Sequence, residues 1–199
     1  MNNFEFLFRY IEKKSSLSLN EVEKAHIQEK FRPKKLRKKQ YFLQEGDVCK
    51  YAGFIVKGAT RMFKVDENGH EHILKFAIEE WWAADYESFK LLTPSLYYIE
   101  AVEDLEMLTI TSEQFEYLTH IIPAFAAMLE VLNRRVTIAN NKRIQVAISL
   151  TAEERYEDLK RTYPEFIRRF SQGMIASYLG VSGETLSRLK RGVFKDSTN

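Results

Sequence analysis

The sequence predicts an α+β chain. It has an N-terminal antiparallel β-roll of jelly-roll type with flanking helices, one long helix suited to self-association, and a C-terminal helix-turn-helix of reduced winged form. Three observations predict this. Between Lys39 and Thr111, short runs rich in aromatic and β-branched residues alternate with turn signals. From Pro123, small and apolar residues recur at three-and-four spacing as far as Leu150. From Gln172 to Lys190, two short apolar helix faces meet across a glycine.

Composition agrees with a folded chain. The 199 residues suit one or two domains, and 45% hydrophobic against 29% charged residues, with eight Gly and four Pro, excludes a disordered or collagenous chain. One cysteine, Cys49, excludes an internal disulfide, an all-Cys iron–sulfur cluster within the chain and any multi-Cys zinc finger, and so predicts a reducing, cytoplasmic setting. The apolar runs are short and broken by charge, which predicts neither a signal peptide nor a membrane span. The formal charge of +2 selects no partner. Its distribution does: from Phe166 onward six basic residues (Arg168, Arg169, Arg188, Lys190, Arg191, Lys195) face two acidic ones (Glu184, Asp196), a local excess of +4 suited to anions.

Residues 1–30 read as helix, with Phe4, Leu7, Phe8 and Ile11 at helical spacing and Ser18-x-x-Glu21 as a capping box for a second helix reaching Phe31. Strands follow at 40–44, 51–57, 60–65, 71–77, 97–103 and 105–111, separated by Glu45-Gly46-Asp47, Lys57-Gly58 and Glu67-Asn68-Gly69. Asn-Gly between alternating runs marks a hairpin because both residues tolerate positive φ. Residues 78–96 have no clean period and read as an irregular insertion. Thr111 caps a helix with Gln114 three residues on, and Pro123 suits the first turn of the long helix. Leu129, Leu132, Val136, Ala139, Val146 and Leu150 line one stripe of it, interrupted by Arg143, and such a stripe fits either a second copy of the chain or its own β-roll. Thr151-x-x-Glu154 opens a separate helical unit. The expected divisions are a sensor-sized β-roll at 1–122, the long helix at 123–150 and the helical tail at 151–199.

In the tail, Ile175 and Leu179 form one apolar face, Gly180 ends that helix, Ser182 caps the next, and Leu186 and Leu189 point inward. Ala176 is small where two crossing helices approach. The expected helices are 172–179 and 183–191, the second being the recognition helix. Its outward residues include Gly183, Glu184, Ser187, Arg188 and Arg191. Arg188 can donate to guanine and Glu184 accept from cytosine, one turn apart, so Glu184, Ser187 and Arg188 are the candidate base contacts. Ser171, Gln172, Thr185, Lys190 and Arg191 are the candidate phosphate contacts. The plain alternative, an i,i+4 ion pair between Glu184 and Arg188, would contribute only a few tenths of a kcal/mol.

Glu184-Thr185-Leu186-Ser187-Arg188 resembles the Glu-x-x-Ser-Arg recognition motif of the Fnr branch of the Crp/Fnr transcription regulators. Gln44-Glu45-Gly46-Asp47 and Gly53-Phe54-Ile55-Val56-Lys57-Gly58 resemble turns of the cyclic-nucleotide-binding β-roll, and the helix from Pro123 is similar to the family's dimerisation helix. The resemblance implies a homodimer on a pseudo-palindromic double-stranded DNA site, acting on transcription through RNA polymerase, with no enzymatic activity and no fixed cofactor. Members that bind cyclic AMP hold its phosphate with a Gly-Glu pair and a later Arg followed by Ser or Thr. Here the region reads Trp81-Trp82-Ala83-Ala84-Asp85-Tyr86-Glu87-Ser88 and then Pro94-Ser95-Leu96-Tyr97, with Lys90 the one basic residue between. The resemblance therefore implies a sensor that does not take cyclic AMP in the usual pose. Trp81, Trp82, Tyr86, Glu87 and Ser88 are the candidate lining of a pocket for some other small effector, although aromatic density of this kind also suits a core. Fnr senses oxygen through a multi-Cys cluster, which Cys49 alone cannot build. Gly183 stands where relatives place a longer contacting side chain.

Two further signals carry less weight. Arg32 to Lys39 holds six basic residues in eight, read as a solvated run entering the first strand. His70-x-His72 with Glu79 or Glu80 resembles a cupin metal site, with His26 and His120 lying in helices; the carboxylate spacing is too long, and no metal is expected. The alternatives to a DNA-binding regulator are thus a cupin-like metalloenzyme, or an interaction or sensor module that has lost DNA binding.

Overall fold

The computed structural model describes residues 3–191. Lys195 and Asp196, counted in the basic tail, lie outside the described residues. The elements in chain order are α1 (Asn3–Ser15), α2 (Glu21–Lys30), β1 (Arg32–Leu36), β2 (Tyr41–Leu43), β3 (Tyr51–Lys57), β4 (Thr60–Val65), β5 (Glu71–Ala77), β6 (Trp82–Ala83) and α3 (Tyr86–Leu91). There follow β7 (Tyr98–Ala101), β8 (Leu105–Thr111), α4 (Ser112–Ile121), α5 (Pro123–Ser149), α6 (Ala152–Thr162), α7 (Pro164–Arg169), α8 (Gln172–Leu179) and α9 (Gly183–Lys190).

Two four-stranded sheets, ordered β1-β8-β3-β6 and β2-β7-β4-β5, make the expected roll. The pairs β1–β8, β3–β8, β3–β6 and β2–β7 are antiparallel, with Phe54 opposite Leu108 at the centre of the first sheet. β3 reads as a buried run rather than an alternating one because both its faces are covered: Ala52, Gly53, Phe54 and Ile55 are all buried. Gly58 joins β3 to β4 at φ +96, and a Cβ there would lie 2.5 Å from the Asp104 carbonyl oxygen, so only glycine closes this turn.

Three local expectations are corrected. The capping box of α2 is Asn20-x-x-Glu23, not Ser18-x-x-Glu21: the Glu23 amide donates to Asn20 Oδ1 and the Asn20 amide to Glu23 Oε2, both at 2.9 Å. The start is pinned two residues later because the Leu19 amide is already held by the Glu12 carboxylate at 2.9 Å. The basic run 32–36 is itself an edge strand, β1, whose ladder comes from β8. The insertion 78–96 holds β6 and α3.

The chain folds as two compact units. One comprises residues 3–62 and 76–137, the other residues 63–75 and 138–191. In the first, an aromatic knot fills the core. Trp82 sits 5.5 Å from Phe54 and 5.7 Å from Phe115, and Phe115 lies 5.0 Å from Phe125, with edge-on or tilted rings. α5 begins in this core, with Ala124, Phe125 and Met128 buried and Leu129 and Leu132 packed against it. The front of the expected stripe thus serves its own β-roll. In the second unit, Tyr156, Leu159, Phe166, Phe170, Ile175, Leu179 and Leu186 are buried, and Phe166 stacks on Tyr163 at 4.8 Å. Thr151 and Glu154 cap α6 reciprocally. Among the described residues no strand follows β8. The stretch before α8 is the short helix α7, so strands of a wing are missing there.

Candidate nucleic-acid interface

α8 and α9 take the expected bounds to within one residue. Ser171 caps α8 by accepting from the Met174 amide at 3.3 Å. Gly180 ends it at φ +67, its amide donating to the Ala176 and Ser177 carbonyls, and Ser182 caps α9 by accepting from the Thr185 amide at 3.1 Å. Ala176, 3% exposed, is enclosed beside the turn, and Leu186 is the buried anchor of α9. Two caps and a left-handed glycine therefore fix the angle between the helices independently of the side chains on the outer face.

That outer face carries Glu184 and Arg188, both exposed and one turn apart, about 6 Å along the axis. Ser187 between them is half-buried. Among the candidate phosphate contacts, Ser171, Gln172, Lys190 and Arg191 are exposed. Thr185 is half-buried, with its hydroxyl 2.9 Å from that of Ser182. Arg191 Nε donates to the Ser187 carbonyl at 3.4 Å, which lays its guanidinium along the end of α9. This face thus presents two longer charged groups flanked by hydroxyls, and the helix dipole adds partial positive charge at its N-terminus.

One feature of this unit has no counterpart in the local sequence signals. The hairpin of β4 and β5, residues 63–75, is clamped to α8 and α5. The Ser177 hydroxyl donates to the Glu71 carbonyl at 2.7 Å and accepts from the Ile73 amide at 2.9 Å. Arg143 donates to the Leu74 carbonyl and packs over the Tyr178 ring at 4.4 Å from its centroid. The nearest signal in the sequence is Arg143 itself, the polar break in the α5 stripe, which is taken up by the hairpin backbone. At the hairpin tip Asp66 accepts from the amides of Asn68 and His70 and lies 2.9 Å from His72 Nε2, which holds its carboxyl far below the usual carboxylate range. Asp158 accepts from Arg161 at 2.6 Å with Lys142 3.5 Å away, lowering its carboxyl and tying α6 to α5. Replacing Ser177 with alanine removes both hairpin bonds. Hydrogen exchange of the Ile73 amide is expected to accelerate about 5- to 10-fold, and an unchanged rate would show that the clamp does not hold in solution.

The candidate effector residues fall in different environments. Trp82 is the hub of the aromatic core, and Trp81 is half-buried beside it. Tyr86 and Glu87 are exposed on the first turn of α3. Ser88 is buried, accepting from the Cys49 amide at 2.8 Å and donating to the Thr93 carbonyl. Burial pushes the Cys49 thiol above its ordinary value. Nearby, the buried Asp85 carboxylate accepts from the Ser95 hydroxyl at 2.8 Å. His70 and His72 both turn to Asp66, while Glu79 accepts from the Gly58 amide at 2.8 Å. Among the described residues no group of three His, Cys, Asp or Glu is placed to hold a metal. No single described helix is long and apolar enough to cross a membrane.

Comparison with known proteins bears on both units. Residues 33–120 match the family Cyclic nucleotide-binding domain. No curated protein sequence matches the chain. Among solved structures, it is similar to FixK2 of Bradyrhizobium japonicum (TM-score 0.65, 20% identity, 82% of this chain and 84% of that one). It is also similar to the c-di-GMP responsive global regulator CLP of Xanthomonas campestris (0.67, 12%, 89% and 93%). A third likeness is to the catabolite activator protein of Thermus thermophilus (0.54, 20%, 90% and 86%). At these identities the likeness establishes the architecture, a roll, a long helix and terminal helices in one order along most of the chain.

Proposed function

We propose that this chain is a homodimeric, sequence-specific DNA-binding transcription regulator of the Crp/Fnr type. In this reading residues 1–122 are the sensor, 123–150 the dimerisation helix and 151–199 the DNA-binding region. The observation that carries it is the outer face of α9: a helix N-capped by Ser182 and anchored by Leu186, on which Glu184 and Arg188 are both exposed. Gly180 and Ala176 set the crossing of the helix before it, which supports groove readout over an ordinary surface ion pair. Beyond its first turns α5 exposes Val136, Ile138, Ile144 and Ile148, at 52%, 61%, 59% and 80%, and apolar side chains this open call for a partner, here a second copy. Contact with RNA polymerase belongs to the same reading through the resemblance alone.

The sensor region is proposed not to take cyclic AMP. A buried phosphodiester requires a cationic partner. Where the resemblance puts that partner, the chain has Ser95, bonded to the buried Asp85 carboxylate, and a second anion beside it would meet repulsion rather than a counter-charge. In vitro selection of bound DNA from a random pool tests the whole proposal. Two half-sites in two-fold register, about 34–36 Å apart, are expected. A single asymmetric half-site would refute the dimer, and no enrichment at low salt would refute DNA binding.

A further inference from the structure

α1, the β5–β6 turn and α5 bring together a set of groups that the regulator reading does not use. A cleft of about 230 Å³ is lined by Phe6, Arg9, Tyr10, Lys13 and Glu80. Its floor is aromatic. The Tyr10 ring lies 4.9 Å from Phe54 and the Phe6 ring 6.0 Å from it, so the cleft opens directly off the aromatic core. Its rim is cationic, because Arg9 and Lys13 stand one turn apart on the same face of α1. Lys14 lies over the Tyr10 ring at 5.2 Å, and the field of Arg135 from α5 reaches both Lys14 and Tyr10. The carboxylate on the wall is Glu80, 4.0 Å from the Lys13 ammonium. Of the other acids on α1, Glu12 is engaged with the Leu19 amide, and Glu5 stands one turn before Arg9 at the surface.

The wall of the cleft is fixed by the backbone of the fold. Glu80 is a non-glycine residue at φ +65, kept there by its amide donating to the Ile55 carbonyl at 3.0 Å and by the Ile55 amide donating to the Trp81 carbonyl. Such backbone strain concentrates at ligand clamps. Burial chiefly, with Arg135 and Lys13 adding to it and Glu80 opposing, pushes the Lys14 ammonium below its ordinary value. The Tyr10 hydroxyl is pushed up to about 12, chiefly by burial, so it stays neutral and able to donate.

We propose that this cleft binds a small aromatic carboxylate, its ring against Phe6 and Tyr10 and its carboxylate between Arg9 and Lys13. An aliphatic anion would leave the aromatic floor uncovered, and an aromatic cation would meet two lining cations, Arg9 and Lys13, against the one lining carboxylate of Glu80. As the effector of a transcription regulator such a ligand rests on the reading above, but the site itself is tested without DNA.

The test uses the full chain, isothermal titration and saturation-transfer NMR, with salicylate as probe and benzylamine and inorganic phosphate as comparators. Salicylate, with about ten heavy atoms, is expected to saturate at roughly 0.1–1 mM. Lys13→Glu and Arg9→Gln, both at exposed positions, should each weaken it about tenfold, while Lys160→Glu on α6 leaves it unchanged. Lack of saturation would overturn the proposal. So would equal binding of benzylamine or phosphate, or affinity unaltered in both Lys13→Glu and Arg9→Gln. Salicylate binding in a protein that retards no DNA would sustain the site while refuting the regulator reading.

Discussion

Replacing Glu100 with alanine is expected to lower the stability of the β-roll by about 3–5 kcal/mol, read as a shift in the urea midpoint. Arg61 on β4 and Glu100 on β7 are neighbours in the second sheet, with Nε 2.5 Å from Oε2 and side chains only 9% and 10% exposed. The guanidinium cannot shed its proton to escape burial, as a lysine could, because its pKa lies far above any working pH. Alanine at 100 therefore removes the counter-charge and leaves a cation in a site that water barely reaches. The magnitude separates this pair from the surface pairs of the chain, such as Lys160 with Glu157, whose loss would cost under about 1 kcal/mol. The double replacement Arg61→Met with Glu100→Leu is expected to recover most of the loss, since buried pairs exchange for apolar residues of similar volume at little cost. A single-variant loss below about 1 kcal/mol would show that the pair is hydrated in solution.

Neither member of that pair could be matched from the sequence, and the reason is general to this chain. The strands at 51–57, 60–65, 71–77 and 105–111 coincide with β3, β4, β5 and β8 because alternation and turn residues are local signals. α5 and α8 are similarly legible from Pro123, Gly180 and the apolar spacing. β1 is not, since Leu36 is its sole large aliphatic residue and its ladder comes from β8, some seventy residues on. β6 is two residues long and exists because Ala83 and Trp82 find Gly53 and Phe54. At α2 two overlapping signatures compete, and Glu12, from the preceding helix, decides between them by holding the Leu19 amide. The outer face of α9 was legible because caps, glycine and inward leucines settle which residues remain outside. The hairpin clamp was not, because Ser177 and Glu71 are brought together only by the tertiary fold. The cationic cleft joins α1 to Glu80 and was scattered in the sequence for the same reason.

Arg188→Ala is expected to weaken binding to the selected site by about 1–3 kcal/mol, roughly 5- to 150-fold, and to relax preference at a single base pair in each half-site. Lys190→Ala should weaken every sequence alike and reduce the slope of log affinity against log salt by about one for each phosphate that the protein no longer neutralises. The contrast follows from position. Arg188 shares with Glu184 the face opposite the buried Leu186, the face proposed to enter a groove, whereas Lys190 stands at the C-terminal turn of α9 and is the proposed phosphate contact. Both side chains are exposed, so neither substitution should move the unfolding midpoint beyond the range of surface changes, and affinity that falls while stability holds is the outcome that counts. Glu184→Gln supplies the complementary case. A carboxylate that accepts from cytosine N4 should lose preference at a neighbouring base pair when its charge is removed, while general affinity rises as a repulsion toward phosphate disappears. If Arg188→Ala and Lys190→Ala depress all sequences equally, Arg188 touches backbone rather than base, and α9 sits across the groove rather than in it.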